Sequence, residues 1–340
     1  MVPGDLLKRF TLVALLVGAV SGCSNDDDRP TGTIAFVRDG QLWLMNADGK
    51  RQRSTGFRAD DYPAWSRDGR RIAFNSGGER ARIWVADPER GSRRPVTPVG
   101  FYDCTSLSWS RDGRRIAYTT NAGCEGELAV FVVDRDGRAR RRLVPGYGHL
   151  DQTWSPDGRF ILFSSFPPGR PELTTFSIVP ADGGNRRTLR GVHGNTDGLP
   201  RRPVAAWARN RSIYILAGDR LVRMNADGTG RRKLGGALEI HDFALSPDER
   251  RIAFTAFDGR RRDIYVMNAD GSGLRKLTNE RRAANLDPQW SPDGRRLLFL
   301  RATGPYAPYE IYVMNTDGSD ATNISNHPAA ETAPTWRPPN

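Results

Sequence analysis

The sequence predicts an all-β fold, a single seven-bladed β-propeller of four-stranded antiparallel blades, and three observations point to it. A phrase of the form Trp-Ser-Pro-Asp-Gly-Arg recurs along the chain, most clearly from Trp290 to Arg295. Its copies start at Trp65, Trp109, Trp154, Trp207, Leu245, Trp290 and Trp336, 38 to 53 residues apart. Repeats of roughly 45 residues with strand-like runs inside each unit are the pattern of propeller blades. Composition agrees. The 36 Gly and 23 Pro fall between short apolar runs, and hydrophobic residues make up 38% of the 340, as turn-dense antiparallel sheets require.

Each unit reads as four strands. The first ends at the Trp, whose large flat ring suits a sandwich between neighbouring blades. A Ser-x-Asp-Gly turn leads to a second strand of the Ile-Ala-Phe type, and a variable loop to a third such as Ile311-Tyr312-Val313-Met314-Asn315. An Asn-x-Asp-Gly turn then leads to the fourth, near Lys276-Leu277-Thr278 and its equivalents. Asp-Gly recurs because a tight hairpin needs a positive φ that Gly accepts, while the Asp side chain bonds nearby backbone N–H groups. These positions are structural.

The two ends are complementary. Thr33–Phe36 and Gln41–Met45 match second and third strands with no Trp phrase before them, whereas Pro334-Thr335-Trp336 is a first strand with almost nothing after it. Joined, they make one blade and close the ring, which hides both open sheet edges. The stretch 185–206, rich in Gly, Pro and Arg, reads as a long loop; an eighth blade would need a further strand set hidden there.

Residues 1–22 read as an export signal, with Lys8-Arg9 ahead of an eleven-residue run from Phe10 to Val20, too short to span a bilayer. Val20-Ser21-Gly22-Cys23 resembles a bacterial lipobox, which implies a lipidated Cys23, with residues 23–31 as a polar tether and 32–340 as the propeller. Cys104 and Cys124 fall in one repeat, in loops expected on the same face, and an oxidising compartment would pair them as a disulfide. The formal charge of +12 is spread through repeat turns such as Arg70-Arg71, Arg114-Arg115, Arg250-Arg251 and Arg295-Arg296, without aromatic interleaving. It reads as a solvated face, not a nucleic-acid footprint.

The paired phrases 290–295 and 311–318 resemble the repeats of the TolB-like propeller family, and the likeness runs over residues 31–340. It implies a periplasmic or cell-surface binding scaffold. Two departures stand out: one more blade than the family's namesake carries, and a short tether where that protein has an α/β domain.

No nucleophile elbow, His-Glu-x-x-His, phosphate loop or paired-Cys zinc spacing is present. Acidic residues instead recur just ahead of the first strands, at Asp61, Asp103, Asp151, Asp242 and Asp287, with Glu331 nearby. First strands line a propeller's channel, so these carboxylates are expected to ring one mouth. His149, His241 and His327 occupy the same class of loop, and His193 lies in the long insertion. Such a ring could hold a divalent cation or receive a cationic segment of a partner. The expected function is a non-catalytic scaffold, anchored in the envelope through lipid, that binds a protein or peptide as a monomer and needs no cofactor. Repeats similar to these also serve as oligogalacturonate lyases with a His-rich metal site, which implies the alternative of a metal-dependent carbohydrate-active lyase or hydrolase.

Overall fold

The computed structural model describes residues 32–76, 81–99, 106–120, 129–145, 149–167, 170, 173–194, 205–304 and 306–339, with backbone only at 61–62, 149–151 and 193–194. Among these residues the strands form seven four-stranded antiparallel sheets. The innermost strand of each is β4 (Asp61–Trp65), β8 (Ser106–Trp109), β12 (His149–Trp154), β16 (Ala205–Trp207), β20 (Glu239–Leu245), β24 (Ala284–Trp290) or β28 (Glu331–Trp336). Together they line a central channel.

The ring closes as the chain ends predict. β28 is the inner strand of the sheet that continues with β1 (Thr33–Arg38), β2 (Gln41–Asn46) and β3 (Arg53–Arg58). Its register with β1 sets Ile34 opposite Trp336 and Arg38 opposite Glu331.

The repeated turns are built as their chemistry demands. In the first, Ser66 Oγ donates to Asp68 Oδ1 at 2.6 Å and accepts from Arg71 N at 3.0 Å, while Arg70 N donates to Asp68 Oδ1 at 3.1 Å. The same set recurs at Ser110/Asp112 and Ser246/Asp248. These bonds hold each of the three aspartates below the usual carboxylate range against the opposing effect of desolvation.

Both faces of every blade are buried. One apolar cluster lies at each boundary between neighbouring sheets, as where Ile264 and Val266 of one blade meet Trp290, Leu297 and Phe299 of the next. Each such side chain contributes about 1.5–3 kcal/mol on burial. The tryptophans also tie first strands together: Trp109 Nε1 donates to Ala64 O at 2.9 Å, Trp154 Nε1 to Ser108 O at 3.1 Å and Trp290 Nε1 to Ala244 O at 3.0 Å.

Two expectations need correction. The stretch 185–206 is not all loop, because β15 (Arg187–Gly194) is the fourth strand of its own blade. Nor are the turn arginines simply a solvated face. The first of each pair is exposed, but Arg115 and Arg251 are half-buried. Arg251 lies 4.5 Å from the ring centroid of Trp290 on the next blade and donates through Nη2 to Gly294 O at 2.9 Å. Arg115 does the same with Trp154 (4.9 Å) and Gly158 O (2.9 Å), and Arg337, donating through Nε, with Trp65 (5.3 Å) and Gly69 O (2.7 Å). These three arginines are therefore latches between blades, combining cation–π contact with a charge-assisted hydrogen bond.

Candidate functional site

The channel widens at both ends. Where the first strands begin, a cavity of about 520 Å³ is lined by Ser106, Gln152, Asp242, Asp287, Gln289 and Pro334 among others. Where they end, a second cavity of about 710 Å³ is walled by the repeat tryptophans.

Five first strands are irregular at the first of these ends: β28, between Thr332 and Thr335, and four that carry acidic residues. In those four the pairing shifts register between Asp61 and Ala64, Leu150 and Gln152, Ile240 and Asp242, and Leu286 and Gln289. A bulge re-aims a side chain and breaks the pairing locally. These bulges carry the acidic residues, so Asp61, Asp151, Asp242 and Asp287 lie inside β4, β12, β20 and β24, not in loops ahead of them.

Two of these carboxylates come together. Asp242 is buried; its Oδ1 accepts from Thr255 N at 3.0 Å and its Oδ2 from Asp287 N at 3.2 Å, across the boundary between two blades. Burial pushes the Asp242 carboxyl up, against hydrogen bonds from Thr255 and Asp287 that hold it down. Asp287 is half-buried, with a φ of 53° that Asp adopts more readily than most residues. Both line the cavity.

The expected ring is otherwise revised. Glu331 is fully buried and faces Arg38, with Nε at 3.0 Å and Nη2 at 2.8 Å from Oε1. Arg38 also donates to Gln52 Oε1 at 2.9 Å, and Gln52 Nε2 reaches the carbonyls of Ile324 and Ser325 on the neighbouring blade. Glu331 therefore belongs to ring closure, not to the mouth. His241 sits in β20 but lines neither cavity, and His327 Nδ1 accepts from Ala329 N at 3.1 Å. The side chains of Asp61, Asp151, His149 and His193 lie outside the described residues, as do Cys23, Asp103, Cys104 and Cys124 altogether. Among the described residues no group of three or more His, Cys, Asp or Glu is placed to hold a metal.

Two glutamines complete the wall, and sequence reading passed over both. Gln152 Nε2 donates to Ser106 O at 3.0 Å and Ala117 O at 2.9 Å, while Thr119 Oγ1 donates to its Oε1 at 2.9 Å. Gln289 Nε2 donates to Pro334 O at 2.6 Å. All four bonds run between blades. The only sequence signal was a polar residue within three positions of the Trp inside an otherwise apolar strand. The resulting surface, two carboxylates among amide and carbonyl groups, is suited to a cationic side chain on an extended segment.

A family profile described as "TolB beta propeller domain" matches residues 29–209 and 208–340. The Tol-Pal system protein TolB of Anaeromyxobacter dehalogenans is 35% identical over 166 residues, covering 48% of this chain and 27% of that protein. The chain thus spans little more than a quarter of that relative's length. Among solved structures, TolB from Acinetobacter baumannii superposes with a TM-score of 0.57 at 20% identity, covering 91% of this chain and 67% of the other. A puromycin-hydrolyzing peptidase of Mycobacterium tuberculosis superposes with a TM-score of 0.66 at 17% identity, covering 83% of this chain and 48% of the other. Both likenesses are likenesses of fold.

Proposed function

This chain belongs to the TolB β-propeller domain family, and from that premise we propose that it is an exported, lipid-anchored, non-catalytic scaffold that binds a peptide segment of an envelope protein at the channel. The observation that carries the reading is the Asp242–Asp287 pair, brought together from two blades at a cavity of about 520 Å³. A lysine or arginine entering there would meet two carboxylates in a concave wall of amide, carbonyl and apolar groups. Its charge would be worth more than on an open surface, because the surroundings are poorly hydrated. Electrostatic complementarity of this kind fixes orientation and partner choice. The relative named as a Tol-Pal system protein supports an envelope partner. The anchor rests on Cys23 and the segment before it.

The test is site-specific photocrosslinking in the native envelope with the full chain. A probe at Thr335, in the channel, should capture one envelope protein, and a probe at Lys233, on an outer strand, should not. Asp287→Lys should abolish the capture while leaving the thermal midpoint within a few degrees, and Cys23→Ala should move the protein from the membrane to the soluble fraction. Equal capture at both positions, or capture indifferent to Asp287→Lys, would overturn the channel as the binding face.

A further inference from the structure

The wider mouth has a chemistry of its own. Each repeat places the residue two after its Trp slot at the rim of the 710 Å³ cavity. Four blades put Pro there (Pro156, Pro247, Pro292 and Pro338), and three put Arg (Arg67, Arg111 and Arg209). Proline is the natural occupant, because the slot is the second position of a turn in which Gly69 N donates to Ser66 O at 2.8 Å, and Gly113 N to Ser110 O at 2.9 Å. Arginine adds nothing to that turn. It adds a cation over the mouth.

Of the three, only Arg209 has a carboxylate partner among the described residues. Glu249, the one carboxylate lining the cavity among the described residues, is engaged by Arg209, through its backbone N at 2.8 Å and Nε at 3.5 Å. The neighbouring turn aspartates, Asp68 and Asp112, are occupied by serine hydroxyls and backbone N–H groups. Among the described residues no carboxylate lies within ion-pair distance of Arg67 or Arg111, both of which are exposed. Burial, then repulsion from Arg111 and Arg209, lowers Arg67 from its ordinary value against a smaller opposing effect of Glu249, so the three guanidinium groups and that carboxylate share one electrostatic neighbourhood. Other arginines of this face do not behave this way: Arg115, Arg251 and Arg337 are spent on inter-blade carbonyls. Between the cations the wall is apolar. Trp109 and Trp207, on two of the Arg-bearing blades, are only half-buried, whereas Trp65, Trp154, Trp290 and Trp336 are buried.

We propose that this second mouth binds an acidic peptide segment, with Arg67, Arg111 and Arg209 receiving its carboxylates and the tryptophan and proline walls receiving its apolar carbons. Arginine's planar fork matches a carboxylate in two-point contact. The cations come from three separate turns round a rim, which suits a chain carrying several carboxylates better than one small ion. The site adjoins the cavity of the Asp242–Asp287 end, with Pro247 and Trp290 lining both, but its three arginines line only the second mouth.

The test is titration of the full chain with the peptide Glu-Glu-Phe-Glu-Glu-Phe, read by indole emission, since six tryptophans line this mouth. Binding should saturate and weaken steeply with added salt. The double variant Arg67→Pro/Arg111→Pro, which installs the residue the other blades use, should weaken it roughly three-fold per guanidinium, about ten-fold together. Pro156→Arg, which adds a fourth cation, should tighten it. Retention of parental affinity in the double variant would overturn the site, and so would Pro156→Arg without effect, which decides the matter should the double variant fail to fold. Displacement of the peptide by an equal concentration of inorganic phosphate would show a plain anion site and overturn the peptide assignment.

Discussion

Truncating Glu331 to Ala should be among the most damaging single changes in this protein. Arg38 and Glu331 are 3% and 0% exposed, 2.8 Å apart, and join the first described strand to the last. The truncation leaves a guanidinium in the interior with only Gln52 Oε1, at 2.9 Å, as a polar side-chain partner. Stripping one partner from a buried ion pair costs about 3–5 kcal/mol, because the remaining charge has lost its compensation. At a urea slope of roughly 3 kcal/mol/M that is a fall of about 1–2 M in the unfolding midpoint. The assay is equilibrium urea unfolding of the full chain followed by tryptophan emission. A second arm separates charge from shape: Arg38→Met with Glu331→Leu removes both charges at similar volume and should lie within about 1 kcal/mol of the parent, since apolar replacement of such pairs is often neutral. Glu331→Ala within about 1 kcal/mol of the parent would refute the reasoning. So would a double variant as unstable as the single one, because the loss would then come from shape.

Two further outcomes follow from a blade joint and from a contact within one blade. Gly318, at φ 93°, has Leu277 O only 2.8 Å from where a Cβ would stand, whereas Gly113, at φ 64°, has nothing within 4 Å. Gly113→Ala should therefore cost about 1–2 kcal/mol of backbone strain, and Gly318→Ala a further 1–3 kcal/mol of overpacking, roughly; equal thermal midpoints for the two variants would contradict this. Asp258 accepts Lys276 Nζ at 2.8 Å, which, with its backbone hydrogen bonds, holds its carboxyl down from 3.8 to about 2. A depressed acid adds stability above its unfolded value that is lost as pH falls through the folded one. The advantage of the parent over Asp258→Asn in urea midpoint should thus be full at pH 6 and shrink between about pH 4 and pH 2; an advantage that does not change with pH would count against the contact.

The architecture was legible because the repeat spells out its own turns. Ser, Asp and Gly at fixed offsets each satisfy a local bond, as at Ser66, Asp68 and Gly69, so spacing alone locates strand ends. The site was legible only in part. Asp242 and Asp287 were found because acids recur beside the Trp slots, but the bulges that aim them leave no signature in residue type. Glu331 looked like their equivalent, and its true partner, Arg38, lies 293 residues away, beyond any local pattern. The roles of Arg115 and Arg251 were hidden for another reason. Their acceptors are the backbone carbonyls of Gly158 and Gly294, and a carbonyl is present at every residue. In β15 the sequence Arg-Thr-Leu-Arg-Gly-Val-His-Gly has too little apolar alternation to announce a strand that lies on the outside of its blade.

The antiparallel pairing of β28 with β1 has a consequence for how the molecule comes into being. The opening hairpin waits through nearly the whole length of synthesis for its missing neighbour. Until residues 331–336 arrive, the growing protein is an arc with a sticky border at each tip, the kind of border that recruits other chains. A chaperone shielding those tips, or rapid completion of the last strand, would decide the yield of finished molecules.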